Sequence, residues 1–262
     1  MLFRSPLSLS VLMSRRYDSR TTIFSPEGRL YQVEYAMEAI SHAGATVGLL
    51  AEDGVVLAAE LKVTSKLLDP GHSSEKLYRI DEHIVCSAAG ITADANSLIE
   101  YARETAQRYK YLYQENIPVE QLMQDVCDLM QGYTQYGGLR PFGVSFLFAG
   151  WDEHFGFQLY KCEPSGNYSA WRAMAVGKNK SNAQTLLKQE YEADISTVAA
   201  TKLAVRVLSK TMDVVSLTHE KVELATLQRI NGEVRFHILG AAEVTKVVDE
   251  VQADEAARPK TE

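Results

Sequence analysis

Cysteine and histidine, the side chains most often used as nucleophiles, bases or metal ligands, form no recognisable motif in this chain. The three cysteines form no CxxC pair, and the six histidines form no HExxH motif. No GxSxG elbow is present, since neither Gly90-Ile91-Thr92 nor Gly143-Val144-Ser145 has the required pattern. We therefore predict inert, buried thiols at Cys86, Cys127 and Cys162, with no metal or cofactor site.

The overall charge argues against two classes of partner. The 262 residues include 27 basic and 34 acidic side chains, and the net charge of −7 is spread along the chain. This balance argues against a dedicated nucleic-acid surface. No apolar run reaches the ~20 residues needed to span a membrane. We therefore expect neither nucleic acid nor membrane as a partner.

The elements that would position any site begin with residues 17–41, a polar tail followed by a turn and a short helix. Ser25-Pro26-Glu27-Gly28 favours a type I turn, because Pro26 pre-sets φ and Gly28 suits the fourth position. From about Arg29, apolar residues recur at helical spacing: Leu30, Val33, Met37 and Ile40. A helix this short is marginal alone in water, so it must lie on its own domain or on a neighbour.

The rest of the chain alternates pairs of strands with pairs of helices. The predicted strands are residues 44–51, 55–60, 76–80, 83–89, 144–151, 155–162, 172–176, 222–226 and 234–238. The predicted helices are residues 95–109, 118–136, 180–190, 197–210 and 241–251. No internal repeat or linker interrupts this order, which indicates one domain of antiparallel sheet layers with helices outside.

Two runs near the start of the chain are distinctive: Phe24-Ser25-Pro26-Glu27-Gly28-Arg29 and Gln32-Val33-Glu34-Tyr35-Ala36. They resemble the signature of the alpha subunits of the 20S proteasome, and the resemblance extends over residues 13–251. It implies an α+β fold, a four-layer α/β/β/α sandwich of two antiparallel sheets between helix layers. This is the N-terminal nucleophile hydrolase fold.

The resemblance also implies domain bounds. Residues 13–252 would form a single proteasome alpha-type domain, with 13–28 as gate tail and turn and 29–41 as the N-terminal helix. Residues 1–12 are apolar, rich in serine and weakly like a targeting peptide. Because the family's chains normally start where Met13 stands, we expect residues 1–12 to be a disordered N-terminal extension. Residues 253–262 are expected to form a polar C-terminal tail.

The same resemblance argues against catalysis by this chain. Enzymes of this fold use their first residue as the nucleophile and its freed α-amine as the base. In that register Gly44 stands where the catalytic threonine would be, Glu60 at the supporting acid and Lys76 at the active-site lysine. Glycine has no nucleophile, and the chain continues upstream of it. The alternative is an autonomous N-terminal nucleophile hydrolase processed near Thr46, the nearest hydroxyl.

The resemblance implies instead a non-catalytic alpha subunit of the 20S core. Such a subunit forms the outer heptameric ring, closes the substrate gate and docks activators in ubiquitin-dependent protein degradation, in cytoplasm and nucleus. Its partners would be neighbouring alpha subunits and beta-ring subunits. Regulatory particles and activators would dock by C-terminal tails, and unfolded protein substrates would pass the pore.

The gate residues implied by the resemblance are Tyr17, Asp18 and Arg20. Neighbouring tails can hydrogen-bond through such phenol and carboxylate groups and so close the pore. A Tyr-Asp-Arg triplet is usual in the family, but here Ser19 holds the third place and Arg20 follows it. The alternative for this segment is a disordered polar tail.

An activator-docking pocket is implied between neighbouring subunits, with Pro26, Gly28, Leu30 and Lys76 as its residues. The ammonium of Lys76 would pair with an activator's C-terminal carboxylate, and displacement of the turn would swing the tail aside. From the residues alone, the alternative is a solvated lysine ahead of a strand.

The N-terminal helix is also implied to contact the neighbouring subunit in the ring. Its interface residues would be Val33, Glu34 and Met37. The alternative is a helix packed only on its own sheet. Residues 132–143, rich in glycine and containing Pro141, resemble the family's connection from the second long helix to the next strand, and we expect a tight structural corner there.

Overall fold

Two five-stranded antiparallel sheets form the centre of the chain, which is described over residues 23–61, 67, 76–212 and 217–257 in a computed structural model. In spatial order the first sheet contains β10 (Glu233–Ile238), β9 (Val222–Ile230), β2 (Gly54–Glu60), β1 (Thr46–Ala51) and β8 (Ala173–Val176). The second contains β3 (Leu77–Arg79), β4 (Ile84–Gly90), β5 (Val144–Asp152), β6 (Gly156–Cys162) and β7 (Tyr168–Ala170). The predicted antiparallel arrangement is confirmed.

Helices cover the outer faces of both sheets. Those on the second sheet are α2 (Thr92–Tyr113) and α3 (Val119–Gln135), and those on the first are α4 (Lys180–Glu190), α5 (Thr197–Thr211) and α6 (Ala241–Ala257). The first helix, α1 (Tyr31–Ser41), contributes Ile40 to the core between the sheets. Within the described ranges, no helix combines the length and apolar character that a membrane crossing requires.

Three apolar clusters separate the four layers. Successive strand residues point to opposite faces of a sheet. In β2, Val56 and Ala58 therefore pack towards the helices, whereas Leu57 packs between the sheets. In β4, Ile84 faces the helices and Val85 the other sheet. Strands covered on both faces read as continuous apolar runs, and the predicted α/β/β/α sandwich is confirmed.

Most elements differ from the predicted bounds by one to a few residues, and three of these differences have clear local reasons. The β9–β10 turn needs only Asn231 and Gly232, both in the left-handed region with φ of 55° and 88°, so pairing continues to Ile230 opposite Glu233. The last helix continues to Ala257, so residues 253–257 are helical and do not belong to a tail. The first helix begins at Tyr31, because Leu30 is extended.

Strand β7 was not predicted. It has only three residues and pairs at the sheet edge, with Tyr168 opposite Cys162 and Ala170 opposite Tyr160. Three residues are too few to show a period-two pattern, so this strand is recognised only by its pairing with β6.

Candidate functional site

The turn before α1 is closed by its own backbone. The Gly28 N–H donates to the Ser25 carbonyl oxygen at 2.9 Å, and the Ser25 N–H donates to the Arg29 carbonyl oxygen at 2.9 Å. Ser25 is buried, and its Oγ accepts from the Arg29 N–H at 3.2 Å. Gly28 has a φ of 77°, where a side chain would be strained. The sequence Ser25-Pro26-Glu27-Gly28 thus forms the turn that its residue types predict.

The apolar stripe of α1 faces mainly its own chain. Val33 is 7% exposed and Ile40 is 5% exposed, so both pack inside the chain. Tyr35 remains 46% exposed, and Phe24 ahead of the turn is 67% exposed. Exposed aromatic side chains such as these are surface that a neighbouring protein can cover.

Of the three residues predicted for the ring interface, Val33 is covered by its own chain and has little exposed surface, and its contact with a neighbour stays a prediction. Glu34 is partly exposed and accepts from Arg29, from Nε at 2.6 Å and from Nη2 at 2.5 Å. Met37 is partly exposed and lies beside a small cavity that Gly177 also lines. Contact of Glu34 and Met37 with a neighbour stays a prediction.

Three residues at the ends of separate strands meet at one end of the sandwich. Lys76 Nζ donates to the Gly44 carbonyl oxygen at 2.8 Å. Glu60 Oε2 accepts from the Ala45 N–H at 3.0 Å. A Cβ built on Gly44 would lie 2.5 Å from Lys76 Nζ and 3.3 Å from Glu60 Oε2. The structure therefore brings together Gly44, Glu60 and Lys76, the three residues that the resemblance places at the nucleophile, acid and lysine positions.

This convergence follows from the pairing of β1 with β2 and from the packing of the second sheet, which contains β3, on the first. Lys76 immediately precedes β3, Gly44 precedes β1 and Glu60 ends β2. The Glu60 N–H donates to the Ala45 carbonyl oxygen at 2.8 Å, which closes the β1–β2 pair. Gly177 lies against the same backbone, since a Cβ there would stand 2.7 Å from the Gly44 carbonyl oxygen. Lys76 and Glu60 therefore bind backbone atoms of Gly44 and Ala45, and no reacting side chain lies between them.

Thr46, the alternative nucleophile, is not available for attack. Its side chain is fully buried, and Oγ1 has no hydrogen-bond partner in the described part of the chain. Its backbone nitrogen is part of β1 and is joined to Ala45 by a peptide bond. In this state neither a reachable hydroxyl nor a free α-amine exists, and both are required for N-terminal nucleophile chemistry.

The other predicted site residues fall in two places. Pro26 and Gly28 are exposed in the turn, and Leu30 is partly exposed before α1. Their sharing of one activator pocket with Lys76 stays a prediction. The gate residues Tyr17, Asp18 and Arg20 lie outside the described residues, as does the expected extension at residues 1–12.

A charged contact that the sequence reasoning missed fixes the corner at residues 132–143. Arg140 donates to both Asp94 oxygens, from Nη1 to Oδ2 at 2.6 Å and from Nη2 to Oδ1 at 2.8 Å. The Gly143 N–H donates to Asp94 Oδ2 at 2.8 Å. Hydrogen bonds from Arg140, stronger than the opposing effect of burial, lower the pKa of Asp94.

This contact joins the start of α2 to the start of β5. No periodic or motif signal marks it, because Asp94 and Arg140 are 46 residues apart. The backbone beside it is also tightly packed: Gly90 has a φ of 142°, and a Cβ there would stand 2.2 Å from the Gly143 carbonyl oxygen. The corner is thus a structural device, as its glycine and proline content predicts.

The side chains that could bind a metal ion or act as a thiol nucleophile were located in the described ranges. There, no set of three or more His, Cys, Asp or Glu side chains is placed to hold a metal ion. The three cysteines are free and buried in the core between the second sheet and its helices. Burial raises the pKa of the Cys86 thiol, which suppresses the reactive thiolate.

Comparison with known proteins identifies the family. The sequence model of the proteasome subunit family matches residues 40–227, and the model of the N-terminal signature of A-type proteasome subunits matches residues 17–39. The chain is 64% identical over 224 residues to an alpha type-4 proteasome subunit of Petunia hybrida, covering 86% of this chain and 90% of that protein. It is 61% identical over 237 residues to the alpha type-4-A proteasome subunit of Arabidopsis thaliana, covering 90% and 95%.

A rice relative, the alpha type-4-2 proteasome subunit of Oryza sativa subsp. indica, is 62% identical over 238 residues, covering 90% of this chain and 95% of its own. The run around Ser19, where the family usually has arginine, also predicts the third alpha subunit of eukaryotic rings, which is alpha type 4. The family matches identify an alpha subunit, and the glycine at position 44 leaves no nucleophile there, so the two findings are consistent. The chain therefore belongs to the proteasome subunit family, and its N-terminal signature places it among the alpha subunits.

Proposed function

We propose that this chain acts as an alpha type-4 subunit of the 20S proteasome, a non-catalytic member of the outer ring that assembles with other alpha subunits and with beta subunits. The observation that carries the proposal is the meeting of Gly44, Glu60 and Lys76, here called the Gly44 cluster. Lys76 and Glu60, which would serve a nucleophile, bind the backbone of Gly44 and Ala45 instead. The fold is thereby kept while its reaction is lost, because no hydroxyl stands at position 44.

A gate function for the N-terminal segment completes the proposal. The turn at residues 25–28 is closed by its own hydrogen bonds and is followed directly by α1, which is anchored by Val33 and Ile40. The turn thereby fixes the point at which the N-terminal segment joins the domain. In the ring, Tyr17, Asp18 and Arg20 would then bond neighbouring tails and close the pore to unfolded protein substrates.

Docking of activators is the third part of the proposal. The C-terminal carboxylate of a regulatory particle would bind near Lys76, bordered by Pro26, Gly28 and Leu30, in the cytoplasm and nucleus. Lys76 already donates to the Gly44 carbonyl, two residues before β1. A carboxylate that draws the ammonium away from that carbonyl would therefore act on the backbone between α1 and β1.

The gate is tested by deleting residues 1–20 in assembled particles and measuring hydrolysis of a small fluorogenic peptide by otherwise latent particles. The rate should rise, because a pore-closing tail has been removed. Deleting only residues 1–12 is the matched control and should leave latency unchanged. Equal, low rates in both deletions would contradict the gate role.

Docking is tested by Lys76→Ala in the same particles, with binding of an activator that carries a C-terminal carboxylate as the readout. Binding should weaken, whereas Lys188→Ala, on the exposed surface of α4, should not alter it.

The mass and N-terminal sequence of the mature chain test the rival hydrolase. A chain that begins at Thr46 and reacts with a threonine-directed electrophile would overturn the proposal.

A further inference from the structure

Two connections of the chain touch each other at the end of the sandwich opposite the Gly44 cluster. One is the β3–β4 turn, which carries Asp81 and His83, and the other is the α2–α3 connection, which includes Ile117. The Asp81 N–H donates to the Ile84 carbonyl oxygen at 3.1 Å, and the His83 carbonyl oxygen accepts from the Trp151 N–H at 3.1 Å. The backbone of the turn is thus held by β4 and β5.

The imidazole of His83 has an acceptor beside each of its ring nitrogens. The residue is 3% exposed, and its Nε2 lies 2.7 Å from the Ile117 carbonyl oxygen. Its Nδ1 lies 3.9 Å from Asp81 Oδ2. A neutral imidazole has a single N–H, so it can donate to only one of these two oxygens. An imidazolium has an N–H on both nitrogens and can donate to both.

The carboxylate of Asp81 is divided between a satisfied and an unsatisfied oxygen. Oδ1 accepts from the Glu82 N–H at 2.8 Å and from Gln107 Nε2 at 3.5 Å. Oδ2 and His83 Nδ1 are both buried, and neither has a hydrogen-bond partner among the residues that the structure describes. Buried polar atoms without a partner lower stability. One hydrogen between these two atoms satisfies both.

Two guanidinium groups near the pair donate to backbone oxygens. Arg79 Nε, on β3, donates to the Asp81 carbonyl oxygen at 3.4 Å. Arg103, on α2, donates to the Arg79 carbonyl oxygen from Nε at 2.9 Å and from Nη2 at 2.8 Å. Among the described residues neither guanidinium donates to the Asp81 carboxylate. His83 is therefore the side chain placed to serve as cation for Asp81 Oδ2.

The other titratable groups around His83 are mainly acidic. They line a cavity of about 630 Å³ together with His83 and come from the turn, the α2–α3 connection, the end of β5 and the start of β10: Glu82, Glu115, Asp152, Glu153, His154 and Glu233. Burial opposes the ionisation of Asp152, but hydrogen bonds from backbone N–H groups and from Gln158 together lower its pKa. Negative charge on this side favours a positive imidazole over a neutral one.

From these contacts we infer that His83 is an imidazolium in the folded chain and clamps the β3–β4 turn to the α2–α3 connection. One N–H is donated to Asp81 Oδ2 and the other to the Ile117 carbonyl oxygen. Charge-assisted bonds of this kind are about 2.7–2.9 Å long, so closing the 3.9 Å gap needs a side-chain shift of about 1 Å. The shift brings both unpartnered atoms into one bond.

This clamp depends on a single proton and is therefore sensitive to pH. When the proton leaves, the neutral ring keeps one N–H, and either the bond to Asp81 or the bond to Ile117 is lost. With the clamp closed, the folded chain holds one proton more than the unfolded chain near neutral pH. Stability then falls as pH rises through the range in which that proton leaves the folded chain. The fold thus contains a device that loosens this end of the sandwich under alkaline conditions.

Nuclear magnetic resonance of the full chain, labelled with ¹⁵N in its histidines, provides the first test. The chain has six histidines, and the signals that disappear in His83→Gln identify those of His83. We expect the chemical shifts of both ring nitrogens of His83 to be those of protonated nitrogen near neutral pH. The same chain unfolded in urea at the same pH is the reference and should show neutral rings. A neutral His83 in the folded chain would overturn the inference.

Stability against pH provides a second test, which needs no assignment of signals. Asp81→Asn places an amide N–H beside Nδ1, so a neutral His83 is satisfied without the extra proton. By urea denaturation from neutral to mildly alkaline pH, the folding constant of the natural chain relative to Asp81→Asn should fall by up to about tenfold per pH unit, the limit for one linked proton. Asp128→Asn, on the exposed surface of α3, is the matched control, and its ratio should stay constant. A constant ratio for Asp81→Asn, or an equal change for Asp128→Asn, would refute the clamp.

Discussion

Lys76 Nζ donates a 2.8 Å hydrogen bond to the carbonyl oxygen of Gly44, and a Cβ on Gly44 would stand 2.5 Å from the same nitrogen. The lysine therefore occupies the space into which a nucleophilic side chain at position 44 would extend. Glycine at this position removes the nucleophile. It also leaves room for the Lys76 ammonium to donate to the backbone carbonyl of Gly44. The loss of catalysis and the structural use of Lys76 are one arrangement.

Gly44→Ala should lower the free energy of unfolding by about 1 kcal/mol, since the new methyl group displaces the Lys76 ammonium from its acceptor. The reduction should be smaller in a Lys76→Met background, because that bond is then already lost. Chemical denaturation of the four chains measures the coupling. Gly137→Ala, where nothing lies within 4 Å of the added Cβ, is the matched control. Strictly additive effects would contradict the contact.

Thr46→Val should leave stability unchanged or raise it by up to about 1 kcal/mol, because it removes a buried hydroxyl that has no partner in the described residues. Thr201→Val should instead destabilise by about 1 kcal/mol, since its buried Oγ1 donates to the Thr197 carbonyl oxygen at 2.8 Å. Thermal unfolding of both variants compares them. A marked loss for Thr46→Val would reveal a hydrogen bond at that hydroxyl.

Arg140→Gln should destabilise the chain by about 1 to 2 kcal/mol near neutral pH, because it breaks a bidentate contact that holds the corner of residues 132–143. Arg235→Gln, which breaks an exposed contact of 3.5 Å to Glu233, should change stability by less than about 0.5 kcal/mol. Urea denaturation of both variants measures the difference. Equal effects would show that the corner does not depend on this pair.

The cost of Arg140→Gln should also depend on pH. The pKa of Asp94 is lower in the folded chain than its usual value near 3.8, so the unfolded chain takes up the proton first as pH falls. The stabilisation is therefore complete above that usual value and is lost as pH falls through the folded-state pKa. Stability measured from neutral to acid pH should show the two chains converging only at acid pH. A gap that widens towards low pH would contradict this direction.

The three cysteines should resist alkylation at neutral pH in the folded chain and react fully after unfolding. The neighbouring Cys127 thiol and burial both raise the pKa of Cys162, and burial raises that of Cys86. Mass spectrometry after treatment with iodoacetamide counts the labelled thiols. Ser181→Cys places a thiol on the exposed face of α4 and should react at once. Rapid labelling of a native cysteine would show an opening of the core.

Local signals predicted the elements that depend on them. The bounds of α4 agree with the predicted residues 180–190, because the signals for helical periodicity and for helix ends are local in sequence. The turn at residues 25–28 likewise follows from the preferences of proline and glycine. By contrast, the burial of Val33 was not predictable, because an apolar stripe shows that a face is covered and does not show by which chain.

The sequence by itself determined that position 44 has no nucleophile, that strand pairs alternate with helix pairs, and that the N-terminal signature is that of an alpha subunit. These are matters of residue identity and short-range pattern. Only the tertiary structure decided what the remaining site residues do. Glu60 meets Ala45 across 15 residues, because β1 and β2 pair in an antiparallel manner. Lys76 meets Gly44 across 32 residues, because the second sheet, which contains β3, packs on the first. That convergence gives the lysine and the glutamate main-chain partners in place of a catalytic threonine.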